Sequence, residues 1–188
     1  MTEQTTLHLD EYLAALPARR LSAPRRVTPA QYQVSRWPLL KPFNGFSGTE
    51  RRRGGQLAGW LLKAGCIAMP DRCDICGTPG PLGLHGEVYY DVTRDPALCR
   101  PCHRALHLRP YQWDTWRGIV DASATTGREW FALAPRYGLD LAQHLRDRHG
   151  WQVADIEHSP LSPLPEEIVT ALPGNMLAHP ALSAGWAC

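Results

Sequence analysis

Residues 73–107 read CDICGTPGPLGLHGEVYYDVTRDPALCRPCHRALH, and this stretch decides the fold. It holds two Cys-x-x-Cys pairs, Cys73/Cys76 and Cys99/Cys102. Four thiolates in two such pairs are typical of a tetrahedral zinc site. The alternative is two disulfides, which need an oxidising compartment, and the first residues, MTEQTTLHLDEYLAALPARR, carry no apolar signal segment. We therefore expect a closed structural zinc site in a cytoplasmic protein.

The segments around the two pairs predict a small α+β fold. The first pair predicts a knuckle turn, and the alternation over residues 84–90 predicts a strand with His85 and Glu87 on one face. The second pair opens a predicted helix, with His103 and His107 one turn apart on a shared face. A knuckle, a β-hairpin and a helix that begins at the second pair form a treble-clef arrangement.

Flanking helices are predicted on both sides of this module. Ser47 to Glu50 has the spacing of a capping box, which predicts a helix over about residues 49–64. Hydrophobic spacing predicts further helices over 8–16, from Pro110 onward and over 139–149. Proline spacing then divides the chain into an extended basic arm (1–48), a zinc-supported domain (49–149) and a loosely ordered tail (150–188).

Positive charge is concentrated before the module. Residues 1–70 carry ten Lys/Arg against four Asp/Glu (+6), residues 71–110 five against five (0) and residues 111–188 five against nine (−4), which sum to the net +2. The triplet Arg51, Arg52 and Arg53 suits contacts with nucleic-acid phosphates. A solvated basic arm explains the same charges. No apolar run is long enough for a membrane span, so we expect no membrane partner.

The runs CDIC, LHGEVYYD and LCRPCHRALH are similar to the zinc-supported HNH endonuclease family of the small bacterial or mobile-element type, over about residues 72–109. In that family a ββα-metal catalytic unit is built into a treble clef closed by two Cys-x-x-Cys pairs. A metal-binding histidine commonly follows the second pair, where His103 stands. The resemblance implies a DNA endonuclease in which a catalytic Mg²⁺ or Mn²⁺ lies between the first strand and His103. A strand histidine then takes a proton from the attacking water.

One departure from this pattern concerns the general base. Family members often carry two adjacent residues, the first binding metal and the second acting as base, whereas this chain has His85-Gly86. Either His85 binds the metal and the base is missing, or His85 is the base and Glu87 binds the metal opposite His103. The first alternative includes a degenerate module that binds DNA, RNA or a protein. We interpret His107 as structural and place His8, His144, His149, His158 and His179 at the surface.

Overall fold

The computed structural model describes residues 3–25, 40–89, 91–123, 130–137, 139–149 and 164–173. Within these ranges the chain forms a small mixed fold, rich in helices, with one two-stranded antiparallel sheet. None of the described helices is long and apolar enough to cross a membrane. The helices are α1 (Glu3–Ala15), α2 (Gly48–Lys63), α3 (Arg100–Leu108), α4 (Trp113–Ser123), α5 (Trp130–Leu133), α6 (Leu141–His149) and α7 (Glu166–Ala171).

The sheet is a hairpin of β1 (Leu82–Leu84) and β2 (Ala97–Cys99). Leu82 pairs with Cys99, the last residue of β2, and Cys99 is also the N-cap of α3. Pro101 lies in the first turn of α3, where a missing N–H costs no helical hydrogen bond. The second cysteine pair therefore joins the sheet directly to the helix, as the sequence predicted.

The first cysteine pair lies in a tight turn before β1. The Cys73 N–H donates to the carbonyl of Thr78 at 3.0 Å, and Arg72 forms a β-bridge with Pro79. Gly77 has φ +69°, a left-handed conformation that glycine adopts without a Cβ clash. This turn brings Cys73 and Cys76 back towards the hairpin.

The predicted strand over residues 84–90 is wrong in its extent. The ladder ends at Leu84, with one further bond from the His85 N–H to the Pro96 carbonyl at 2.8 Å. Asp91 then caps a short 3-10 helix, Val92–Arg94, by accepting from the Thr93 N–H at 3.0 Å. Because this local cap satisfies the backbone outside the sheet, the alternation of residue types does not show where strand pairing stops.

Helix α1 lies within the segment predicted as an arm, and it is part of the main core. The helix predicted over 8–16 is confirmed, although it begins earlier, at Glu3. Leu9, Tyr12 and Leu16 are buried in the same hydrophobic cluster as Cys73. Helix α1 also packs against α5 and α6, so this core joins segments that are far apart in the sequence.

Helix α2 begins at the predicted capping box. Ser47 Oγ accepts from the Glu50 N–H at 3.2 Å, and the Ser47 N–H donates to Glu50 Oε2 at 2.7 Å. Trp60 and Leu61 of α2 form a second hydrophobic cluster with Ile168 of α7. Helix α7 was not predicted, because its six residues are too few to show a periodic pattern.

The prediction that His144 lies at the surface is wrong. The side chain is buried, and its Nε2 lies 2.9 Å from Oδ1 of Asp10 in α1. Since the partner is 134 residues away, no local pattern in the sequence indicates this burial.

Candidate metal centres

The sulfur atoms of the two cysteine pairs converge in one place. Their Sγ atoms all lie within 4.8 Å of one another, and those of Cys76 and Cys99 are 3.7 Å apart. The N–H groups of Ile75 and Cys99 each donate to Cys73 Sγ at 3.4 Å. None of the described cysteines forms a disulfide. The cluster, formed by Cys73, Cys76, Cys99 and Cys102, therefore has the donor set of a closed four-sulfur metal site.

The four thiols are too close together to ionise independently. A hydrogen bond with Cys102 lowers the pKa of Cys73 to about 4, and the same bond raises the pKa of Cys102. Burial raises the pKa of the Cys99 thiol. Four adjacent thiolates become stable together only when a cation neutralises them, so this arrangement fits a bound metal.

Three histidines form a second cluster beside the first. The donor nitrogens of His85, His103 and His107 all lie within 4.8 Å of one another. His85 Nδ1 is 3.0 Å from His103 Nε2, and the His103 and His107 rings stack with centroids 4.9 Å apart. The sequence predicted His85 and His103 as site residues and treated His107 as structural. Its position four residues after His103, on the same helical face, was the signal that it belongs with them.

Glu87 supports this cluster from behind. It is fully buried, and its Oε1 lies 2.7 Å from His85 Nε2, the ring nitrogen that faces away from His103. Its other oxygen, Oε2, accepts from Asn44 Nδ2 at 2.8 Å. A carboxylate accepts hydrogen bonds only, so Glu87 holds a proton of His85 on Nε2 and leaves Nδ1 facing His103. The carboxylate of Glu87 is not among the converging donor atoms.

Buried polar groups around Glu87 fix its ionised form. Burial is the largest influence and would raise its pKa, but the hydrogen bond from His85, the charge of Arg109 and the other neighbouring groups together outweigh it, so the pKa of Glu87 is lowered. Tyr12 of α1 lies beside it; burial and the Glu87 charge raise the pKa of its phenol well above the usual value. The Tyr12 hydroxyl forms no hydrogen bond of standard geometry among the described residues.

The two helix histidines are held in the neutral form that metal binding requires. Burial and the neighbouring His85 lower the pKa of His103. Burial, His85 and His103 together lower the pKa of His107 to about 4. Near neutral pH both imidazoles are therefore uncharged.

The surroundings of Gly86 exclude a side chain. A Cβ built on Gly86 would lie 2.6 Å from Cε1 of Tyr89. The Tyr89 ring cannot move aside easily, because it is buried and its hydroxyl accepts from Arg51 Nε at 3.0 Å. The packing around residue 86 therefore requires a glycine.

The three arginines named as phosphate contacts differ in their surroundings. The Arg51 guanidinium lies 5.3 Å from the centroid of the Phe43 ring and 5.5 Å from that of Tyr89, and it donates to the Lys41 carbonyl. Arg51 therefore joins the loop before α2 to the buried ring of Tyr89. Arg52 forms no hydrogen bond or ion pair with any other described residue, and Arg53 is half-buried.

Comparison with known proteins gives no relative for this chain. No protein-family model matches it, and neither the curated proteins nor the solved structures yield a significant match. The chemistry of the two clusters is thus the basis for a function.

Proposed function

We propose that this protein is an HNH-like, metal-dependent DNA endonuclease that hydrolyses phosphodiester bonds and carries a structural zinc ion. The observation that carries the proposal is the convergence of His85, His103 and His107 beside a carboxylate that orients His85. Three protein ligands with open positions are the donor set of a catalytic metal centre, whereas four sulfurs form a closed one.

The cysteine cluster is assigned the structural role. Zinc there would tie the knuckle, the hairpin and the start of α3 together in a treble clef. Because Cys102 immediately precedes His103, the same zinc would fix the position of the helix histidines against His85. Reduced thiols of this kind fit a reducing compartment such as the cytoplasm.

The histidine cluster is assigned the catalytic cation. His85 Nδ1, His103 and His107 would hold it, and the bound cation would stabilise negative charge on the scissile phosphate and the leaving oxygen. An all-imidazole donor set suits transition ions such as Zn²⁺ or Ni²⁺ better than Mg²⁺ or Mn²⁺, which prefer oxygen ligands. Of the two arrangements that the sequence left open, this geometry favours His85 as ligand and Glu87 as its orienting partner. That arrangement has no histidine base, so the bound cation itself would lower the pKa of the attacking water.

A second candidate function follows from Gly86. The position that carries a general base in the resembled family has no room for a side chain, because of Tyr89. A module without that base fits a non-catalytic role, in which it binds nucleic acid or a protein partner. The two functions differ in whether water is activated at the histidine cluster.

Plasmid nicking by the zinc-replete protein, with Mg²⁺, Mn²⁺, Ni²⁺ or Zn²⁺ added, separates the two. His85→Ala, His103→Ala and His107→Ala should each lose on the order of 100-fold in cleavage while retaining the cysteine-bound zinc and DNA binding. His8→Ala, which removes an imidazole outside the cluster, serves as the control and should cleave normally.

Two outcomes contradict the endonuclease proposal. If the wild-type protein binds DNA but cleaves it with none of these ions, the binding module is the better account. If His85→Ala loses zinc or unfolds, His85 is a structural residue and its assignment as a catalytic ligand fails.

A further inference from the structure

A cleft opens between the hairpin and α3, next to the histidine cluster. Its volume is about 500 Å³, and Leu82 and Gly83 of β1 line one wall. The opposite wall is α3, and two of its lining residues, His103 and His107, also belong to the histidine cluster. A molecule in this cleft would therefore lie against the proposed catalytic metal ligands.

Two exposed arginines give this cleft its charge. Arg100 and Arg104 line it, four residues apart and on the same helical face as His103 and His107. Neither forms a hydrogen bond or ion pair within the part of the chain that the structure describes.

Their arrangement is electrostatically unfavourable for the helix itself. Like charges four residues apart repel each other, and a cation at the first residue of a helix opposes its dipole. The first turn of α3 contains no acidic residue that would compensate. An anion bound between Arg100 and Arg104 would remove both penalties, and guanidinium groups suit a phosphate.

The cleft is larger than a phosphate group and partly apolar. A volume of about 500 Å³ lies within the range of sites for small organic ligands. Its hairpin wall is formed by apolar Leu82 and by Gly83, where an added Cβ would meet nothing within 4 Å. This combination fits a phosphate that is attached to an uncharged, partly apolar group.

We propose that the β1–α3 cleft binds one nucleotide of the substrate strand. Arg100 and Arg104 hold its phosphate, and its sugar and base lie against Leu82 and Gly83. This inference deepens the proposed function, because it assigns the binding of the nucleotide adjoining the scissile phosphate to residues outside the histidine cluster.

The test uses the zinc-replete full chain with no second metal added. Thymidine 5′-monophosphate is titrated by calorimetry, with thymidine and inorganic phosphate as comparison probes. The double variant Arg100→Gln/Arg104→Gln should weaken binding of the nucleotide at least about tenfold, since it removes the charge-assisted hydrogen bonds to the phosphate. Arg20→Gln, which removes an exposed arginine that does not line the cleft, should leave binding unchanged.

A steric variant tests the cleft independently of charge. Gly83→Leu should fill part of the cleft and weaken nucleotide binding to a similar extent, whereas Gly118→Leu on α4 should not. Both glycines have open space at the Cβ position, so both variants should fold.

The outcomes separate this inference from the endonuclease proposal. If phosphate or thymidine alone binds as tightly as the nucleotide, or if neither cleft variant weakens it, the cleft is not a nucleotide site, even where the wild type cleaves DNA. If the cleft variants weaken nucleotide binding but the wild type never cleaves, the cleft stands as a nucleotide site, whereas the endonuclease proposal and the assignment to a substrate strand fail.

Discussion

Glu87→Gln is the most informative single substitution, because it preserves shape and removes only the charge and one acceptor. Two donors point at Glu87: His85 Nε2 at 2.7 Å and Asn44 Nδ2 at 2.8 Å. A glutamine offers one oxygen and one NH₂ group, so it satisfies only one of them. Asn44 cannot simply flip, because its Oδ1 accepts from the Leu139 N–H at 3.3 Å.

The expected size of the effect follows from the donor that is left facing the NH₂ group of the glutamine. A buried donor without an acceptor costs about 1–3 kcal/mol. If His85 instead shifts its proton to Nδ1, the lone pair that faces the histidine cluster is lost. Loss of a carboxylate partner behind a ligating histidine typically lowers metal affinity by about 10–100-fold, equivalent to about 1.4–2.7 kcal/mol. We expect Glu87→Gln to weaken metal binding at the histidine cluster within this range.

The assay is calorimetric titration of Ni²⁺ into protein whose cysteine cluster is already loaded with zinc. Asp10→Asn is the matched control, since Asp10 pairs with the buried His144 at 2.9 Å outside either cluster. Its Ni²⁺ affinity should equal that of the wild type. Equal affinity of Glu87→Gln and wild type would refute the orienting role of Glu87.

Four further substitutions test the fold and the charge around the site. Cys99→Ser should release zinc and expose residues 71–109 to hydrogen exchange, because the small hairpin depends on that metal; a folded, reduced wild-type sample that contains no zinc on metal analysis would refute the site. Burial and the Asp91 charge raise the pKa of Asp95 well above its usual value, and Oδ1 of Asp95 has no partner among the described residues. Stability therefore falls as pH rises from the usual value towards the folded pKa, so Asp95→Asn should be more stable than wild type in urea at pH 7.5, by about 1 kcal/mol or more, and the gain should be smaller at pH 5.5. Arg51→Gln should cost about 1–2 kcal/mol by removing its contacts with Tyr89. Arg52→Gln should leave stability unchanged and, if Arg52 binds phosphate, lower the salt slope of DNA binding by about one.

Local features of the chain were readable from the sequence. The capping box at Ser47 predicted the start of α2, and the cysteine spacing predicted that four sulfurs would meet. The helix that carries His103 was predicted from the second cysteine pair. The cap, the helix and each Cys-x-x-Cys pair depend on residues only a few positions apart, whose geometry is set by the local backbone.

The support for the candidate site depended on contacts between distant residues. Asn44 meets Glu87 across 43 residues, and Tyr12 reaches the same carboxylate from α1. No periodic pattern links these positions. Only the packing of α1 and of the loop before α2 on the hairpin places them together.

The sequence by itself determined which residues can bind metals and that the second cysteine pair would begin a helix. The tertiary structure decided that His85 meets the face of α3 that carries His103 and His107, that Glu87 lies behind His85, and that Tyr89 leaves no room beside Gly86. The physical reason is that the spacing of ligand residues along the chain is a local property of the sequence. The direction of a side chain and the space around it are set by close packing with segments distant in the chain.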